Sequence, residues 1–297
     1  MELRHLRYFV AVVEEGSLTT AAERRLHTSQ PSLSRQIRDL EYQVGAELLS
    51  RSVHGVELTA AGKAFLDHAR LALTQVDAAV EAARRAAQPA RKTFAIGFQT
   101  GHEMNWLPPA MHVLRDELKN IEVTVTSDYS PDLAQALARG RLDLAFLRVE
   151  PGYDLGYHVV DREPLVVLMP SDHRLTANQA IHPREFVGEI FIGGSNKATV
   201  LRAVTEDYLR RSGLEIKLDH GVDNMAMAIS LVASTRGLAL MPAYAKNLLP
   251  WSVVSRPLEG EAPTIELAVG YSKANSSPIL KLFLSRLEEL VGPNQKH

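Results

Sequence analysis

The sequence predicts two unlike folding units joined by a long helix: an all-α N-terminal region, then an α/β region made of two lobes. Three observations carry that reading. Apolar residues in the first 45 positions recur at helical spacing, the 28 residues from Ala60 hold no helix breaker until Pro89, and beyond Pro89 short apolar strands alternate with helical stretches. A length of 297 residues accommodates a small domain plus a bilobed one.

Within the first region, Leu6, Phe9, Val10 and Val13 share one helix face, and Gly16 is placed to end that helix in a left-handed conformation. Ser17 can cap a second helix with the core face Leu18, Ala21, Ala22 and Leu26. After a break at His27-Thr28, Ser29-Gln30-Pro31 opens a third helix, with a hydroxyl cap and a proline in the first turn. Leu33, Ile37, Leu40 and Val44 point inward along it; Gln30, Ser34, Arg35 and Arg38 point outward. Arg51 to Leu58 reads as a hairpin with Gly55 in its turn.

An outward row of Gln, Ser and Arg suits a helix laid in a DNA major groove, where Gln pairs with adenine and Arg with guanine. The alternative is a plain three-helix bundle with a solvated polar face. Charge does not decide between them: the first 63 residues hold eight Lys/Arg and eight acids, and the whole chain carries a formal charge of -2. Any DNA binding must come from the arrangement of charge, doubled in a dimer.

The motifs decide. Leu3-Arg4-His5-Leu6-Arg7-Tyr8-Phe9-Val10, Ala21-Ala22-Glu23, Ser29-Gln30-Pro31-Ser32-Leu33-Ser34-Arg35-Gln36-Ile37 and Leu58-Thr59-Ala60-Ala61-Gly62 closely resemble the winged helix-turn-helix of the LysR family. The resemblance implies double-stranded promoter DNA as partner. It makes Ser29, Gln30, Pro31, Ser32, Ser34, Arg35 and Arg38 the recognition-helix contacts, with Arg51 as the wing's phosphate contact. Leu49 stands where the family usually has Phe, a conservative apolar change.

Along the next helix, capped by Thr59, residues Leu66, Ala69, Leu73, Val76, Val80, Ala83 and Ala87 repeat at alternating three- and four-residue steps. Such a seam argues for pairing with a second copy, and Glu81 and Arg85 stand in the favourable i, i+4 order. The alternative is a helix packed on its own domain. The family resemblance implies a dimer through this helix and a dimer of dimers beyond it.

In the C-terminal region, strands are expected at 93–98, 121–127, 142–148, 159–169, 189–192, 215–221, 238–241 and 265–271, with helices between them and at 278–290. Two sequential βα sets place a ligand at the strand ends, where the lobes face. Gly140-Arg141-Leu142-Asp143 and Gly237-Leu238-Ala239-Leu240-Met241-Pro242 resemble motifs of the LysR effector domain, which implies a two-lobed architecture like that of periplasmic solute-binding proteins. The organisation expected is 1–58 for the DNA-binding unit, 59–88 for the linker helix and 89–297 for the effector-binding region. Lobe I would comprise about 89–161 and 266–297, and lobe II about 162–265.

Thr100-Gly101, Ser130 and Thr199 each follow a strand and precede a helix, where free N–H groups and a hydroxyl hold a carboxylate. Arg148 ends a strand of Leu, Ala and Phe and needs an anionic partner: a ligand, or a neighbouring Asp or Glu in a structural ion pair. Leu201, Met225 and Val269 would supply an apolar wall. Leu26-His27-Thr28-Ser29, Asn105-Trp106-Leu107-Pro108 and Phe146-Leu147-Arg148 are similar to regulators of aromatic acid degradation, particularly the phenylpropionate/cinnamate and benzoate/muconate types. That likeness implies an aromatic or other carboxylate as effector. Gly101 stands where many relatives have Ser or Thr, which leaves Thr100 to make the contact.

Other function classes recede. With no cysteine, thiolate catalysis and thiol redox sensing are excluded. The eleven histidines show no metal-ligand spacing, and no Gly-x-Ser-x-Gly, Walker or dinucleotide motif is present. Neither a cofactor beyond the effector, nor a metal, nor an enzymatic activity is expected. A solute-binding transport component is the alternative. Against it, the charged start of the chain lacks a signal-peptide core and no run is long enough to span a membrane, so a cytoplasmic location is expected. RNA polymerase is a further possible partner.

Overall fold

The computed structural model describes residues 1–52, 55–87 and 92–290. The chain divides into two compact units, Met1–Ala87 and Gln88–His297.

In the first unit, helix α1 (Leu3–Glu15) ends at Gly16 in the left-handed conformation. Helix α2 (Leu18–Thr20) is capped by Ser17 and runs on as a π turn over Ala21–Arg25, closed by the Leu26 N–H on the Ala21 carbonyl. Helix α3 (Gln30–Val44) starts at Ser29, whose hydroxyl accepts from the Ser32 N–H. Phe9, Val12, Ala21, Ala22, Leu33, Ile37, Leu40 and Leu48 form a common core. Val44, expected inward, is exposed, because α3 has by then run past the core.

Strands β1 (Leu49–Ser52) and β2 (Gly55–Leu58) make the antiparallel wing. Gly55 opens the return strand rather than sitting in the turn, since it pairs with Ser52; the two residues between them lie outside the described residues. The Glu41 carboxylate fixes the wing's root by accepting from the N–H groups of Leu48 and Leu49.

Helix α4 (Ala60–Ala87) begins with the Thr59 hydroxyl accepting from the Gly62 N–H. A β-carbon at Gly62 would collide with the Leu48 carbonyl, so glycine allows α4 to start against the wing. The expected seam divides. Leu66, Ala69 and Leu73 pack into the unit's own core, which corrects the reading of the whole seam as intermolecular. Farther along, Val76 is half-buried while Val80 and Ala83 are exposed. Glu81 pairs with Arg84; the side chain of Arg85 lies outside the described residues.

The second unit runs β3 (Lys92–Gln99), α5 (Glu103–Val113), β4 (Ile121–Asp128), α6 (Ser130–Ala138), β5 (Leu144–Leu147), β6 (Leu155–Pro170), β7 (Phe191–Gly194), α7 (Thr199–Arg211), β8 (His220–Val222), α8 (Met225–Thr235), β9 (Leu238–Pro242), β10 (Val253–Pro257), β11 (Thr264–Ser272) and α9 (Pro278–Ser285). Strand order is β4-β3-β5-β11-β6-β9-β7-β8, with β10 also paired to β6.

The long strand β6 ties the lobes together. Its first part pairs antiparallel with β11, and its last residues pair with β9 and β10. Each lobe thus keeps a parallel set, β4-β3-β5 in one and β8-β7-β9 in the other. Phe94, Phe98, Trp106, Phe146, Leu267 and Phe283 centre the first lobe's core; Leu165, Val167, Phe186, Phe191 and Leu240 centre the second's. Strand β10 was not expected, and the strand foreseen at 215–221 shrinks to three residues. No described helix is long and apolar enough to cross a membrane.

Candidate functional site

The outward face of α3 carries Ser29, Pro31, Ser32, Arg35 and Arg38, all exposed, with Gln30 half-buried. Arg35 is exposed on this face, where its guanidinium can meet a polyanion. The Arg38 Nε donates along the helix to the Ser34 carbonyl at 3.4 Å. Ser34 departs from the expected outward row. It is buried because it lies three residues before Ile37 and flanks the core stripe. Arg51 lies in β1 opposite Val56; its side chain is outside the described residues.

In the second unit a cleft opens at the carboxyl ends of the parallel strands. Gln99, Arg148 and Glu150 reach it from β3 and the segment after β5, and the starts of α6, α7 and α8 face it with Ser130, Thr199 and Met225. Helix starts present unpaired N–H groups and a partial positive charge, which favour an anion. Leu201, Met241 and Ile265 line the apolar side.

Besides the bonds made by the connecting strand β6, three hydrogen bonds cross between the lobes among the described residues. Asn224 Nδ2 donates to the Tyr129 hydroxyl at 3.0 Å, Tyr244 Oη donates to the Thr100 carbonyl at 3.3 Å, and Thr199 Oγ1 donates to Glu150 Oε2 at 3.3 Å. The cleft volume is about 60 Å³. A cavity of roughly 150 Å³ is what accepts benzene, so the cleft in this arrangement is smaller than a benzene-sized site.

Behind the cleft lies a buried polar cluster. Arg148 Nη2 donates to Glu163 Oε2 at 2.7 Å, and His102 Nε2 stands 3.1 Å from that same oxygen. Arg148 Nη1 is buried with no partner. Burial pushes the Glu163 carboxyl upward, but the His102 hydrogen bond and the Arg148 charge outweigh it and hold the group below its ordinary range. Burial, above all, pulls His102 below its ordinary value and keeps it neutral near pH 7; the Glu163 hydrogen bond only partly opposes this. His102 Nε2 also stands 3.1 Å from Arg148 Nη2, so this ring nitrogen lies between a guanidinium donor and a carboxylate acceptor. Burial raises the Tyr244 phenol, which stays protonated as the donor to Thr100.

Of the residues expected in the pocket, Ser130, Arg148, Thr199, Leu201 and Met225 line the cleft, and Thr100, Gly101 and Val269 do not. The last strand residue facing the cleft is Gln99. Thr100 Oγ1 instead donates to the Asp128 carbonyl, and the Gly101 N–H donates to Glu103 Oε2. Val269 pairs with Phe146 inside the first lobe's core; Ile265, earlier on the same strand, is the β11 residue at the cleft. Ser130 lines the cleft with its hydroxyl already committed, accepting from the Arg148 N–H at 2.8 Å and donating to Gln99. The neighbouring acid foreseen as one alternative for Arg148 is Glu163, and the arginine also lines the cleft.

Sequence reasoning missed Gln99, Tyr129, Glu150, Asn224 and Tyr244. Glu150 had a signal, since it stands two residues past Arg148 after the same apolar strand; Tyr244 had none.

Comparison with known proteins agrees with this arrangement. Residues 3–63 match the bacterial regulatory helix-turn-helix protein model of the lysR family, and residues 87–292 match the LysR substrate binding domain. The chain is 35% identical to the Hca operon transcriptional activator HcaR of Escherichia coli (strain K12), over 97% of this chain and 98% of that protein. It is 28% identical to full-length BenM in a crystal structure, with a TM-score of 0.58 and coverage of 98% and 96%. CbnR, crystallised full-length in complex with its target DNA, shares the fold at 23% identity and a TM-score of 0.58, over 98% of this chain and all of that one. A DNA-reading helix and a cleft-bearing α/β unit, each matched by its own LysR model, place the chain in the LysR family of DNA-binding transcriptional regulators.

Proposed function

We propose that this regulator is switched by a carboxylate, aromatic or otherwise, held between the two lobes by Arg148. The observation that carries the proposal is the Arg148 guanidinium: Nη2 is anchored on Glu163, while Nη1 is buried, unpartnered and part of a residue lining the cleft. A buried N–H with no acceptor is costly, and a ligand carboxylate removes that cost. Tyr129, Tyr244, Met225, Met241 and Ile265 provide walls against which a ring can pack.

Binding requires the lobes to part and re-close, and the ligand's preference for one lobe arrangement sets how far the equilibrium moves. The exposed outer part of α4, at Val80 and Ala83, is the surface we assign to pairing with a second copy, with a tetramer as the larger assembly. The likeness to an operon activator supports activation through RNA polymerase at a promoter, in the cytoplasm. The relatives are transcriptional regulators, and the transport alternative finds no support among them.

The test is calorimetric titration of the full chain with benzoate, 3-phenylpropionate and cis,cis-muconate. Saturable binding of at least one, lost when Arg148→Met is paired with Glu163→Gln, is the expected result. Binding of none, or equal binding by the double variant, contradicts the reading.

A further inference from the structure

Glu150 is a buried carboxylate on the cleft wall, two residues from Arg148, and apart from its bond across the lobes it has no part in holding the carboxylate proposed above. Its Oε2 accepts from Thr199 Oγ1, the hydroxyl of the first residue of α7. The hydroxyl at the start of α7 is therefore already engaged by the protein's own carboxylate. Arg148 Nη1 is left as the buried cationic donor still lacking an acceptor. The cleft's other cation, Lys197, stands 3.6 Å from Asp223, which leaves Arg148 Nη1 as the donor to be met. One ligand carboxylate supplies that acceptor; a second carboxylate would meet Glu150.

Resting on the carboxylate reading above, we infer that the cleft selects a monocarboxylate that also carries a hydrogen-bond donor, a hydroxy acid, with Arg148 taking the carboxylate and Glu150 accepting from the hydroxyl. Dicarboxylates are rejected at Glu150. Burial raises the Glu150 carboxyl, and the Thr199 hydrogen bond only partly opposes this. A site built to bond a hydroxyl discriminates against the analogue that lacks it, because its own polar group is then left unpaired.

The experiment is titration of the full chain with 3-phenylpropionate, its three ring-hydroxylated isomers and its ring-carboxylated isomers, against wild type and Glu150→Gln. Gln keeps an acceptor for Thr199 and removes a buried charge, so the fold is preserved; a thermal melt verifies this. Wild type is expected to bind one hydroxylated isomer about tenfold more tightly than the parent acid, and every diacid about tenfold more weakly. In Glu150→Gln the hydroxyl preference shrinks and the penalty on the diacids disappears. The inference is overturned if the parent and all hydroxylated isomers bind wild type alike, or if Glu150→Gln leaves the ratios unchanged. Binding of none of these acids removes the carboxylate reading itself, and this inference with it.

Discussion

Arg148 and Glu163 form an ion pair at 2.7 Å in which both side chains are less than a tenth exposed, and the guanidinium keeps its second amino group, Nη1, without a partner. Such a pair is a poor source of net stability, because desolvating two charges offsets most of their attraction. Its asymmetry marks it as a holder: Glu163 and the Ser130 hydroxyl fix the arginine from behind and at its backbone, and the free donor remains for something else.

Removing Arg148 alone therefore does more than empty a site. Arg148→Ala leaves Glu163 buried and uncompensated, and urea unfolding should show a loss of about 3–5 kcal/mol. Arg148→Met combined with Glu163→Gln should recover most of that loss while remaining unable to hold a carboxylate. A double variant as unstable as the single one would contradict this account of the pair.

The same cluster predicts a pH dependence. His102 is neutral in the fold and titrates below its unfolded value of 6.5. As pH falls below about 6.5 the unfolded chain binds the proton first, so the folded state loses stability, and the loss levels off below the folded value. Glu163, held below its ordinary 4.5, contributes stability that is lost only at still lower pH. Melting temperatures of wild type and His102→Gln, compared from pH 7.5 to 5.5, should differ most in slope at the acidic end, with wild type steeper. Equal slopes would remove His102 from the explanation.

Gly101 has φ +93, and a β-carbon there would meet the Tyr244 ring at 2.9 Å. Gly101→Ser should cost about 1–2 kcal/mol from the backbone alone and displace the ring that bonds the Thr100 carbonyl across the lobes. Thermal unfolding measures the first effect. The second should appear as faster ligand entry in stopped-flow mixing, and an unchanged entry rate would contradict the latching role of Tyr244.

The outer half of α4 makes a separate prediction. Val80→Glu with Ala83→Arg puts charge on the exposed seam and should lower the assembly state by light scattering, with the monomer fold intact by circular dichroism. The same charges at Leu66 or Ala69 should unfold the N-terminal unit, since those residues sit in its core. No change of mass in the first variant would locate pairing elsewhere.

How far the sequence could be read follows from how local each signal is. Ser29, Gly16 and Thr59 announce their helices because a cap is decided by the few residues around it, and all three do so in the structure. Arg148 was legible because a charge at the end of an apolar strand demands a partner. Which partner was not, because Glu163 comes from β6 and only the packed sheet brings it within 2.7 Å. Thr100 was misplaced by one residue from Gln99 and Val269 by four from Ile265, details set by Gly101's backbone and by strand register. Asn224 and Tyr244 act across the lobes, from 95 and 144 residues away in sequence, where local pattern carries no information.

The most direct test of the account is fluorescence anisotropy of a labelled promoter fragment titrated with the full chain, with and without the carboxylate that calorimetry identifies. Wild type should bind, and the ligand should shift its binding curve. Arg35→Ala should bind far more weakly, and the paired Arg148→Met and Glu163→Gln variant should bind DNA while ignoring the ligand. A wild-type curve that does not move at saturating ligand, or an Arg35→Ala curve equal to wild type, would contradict it.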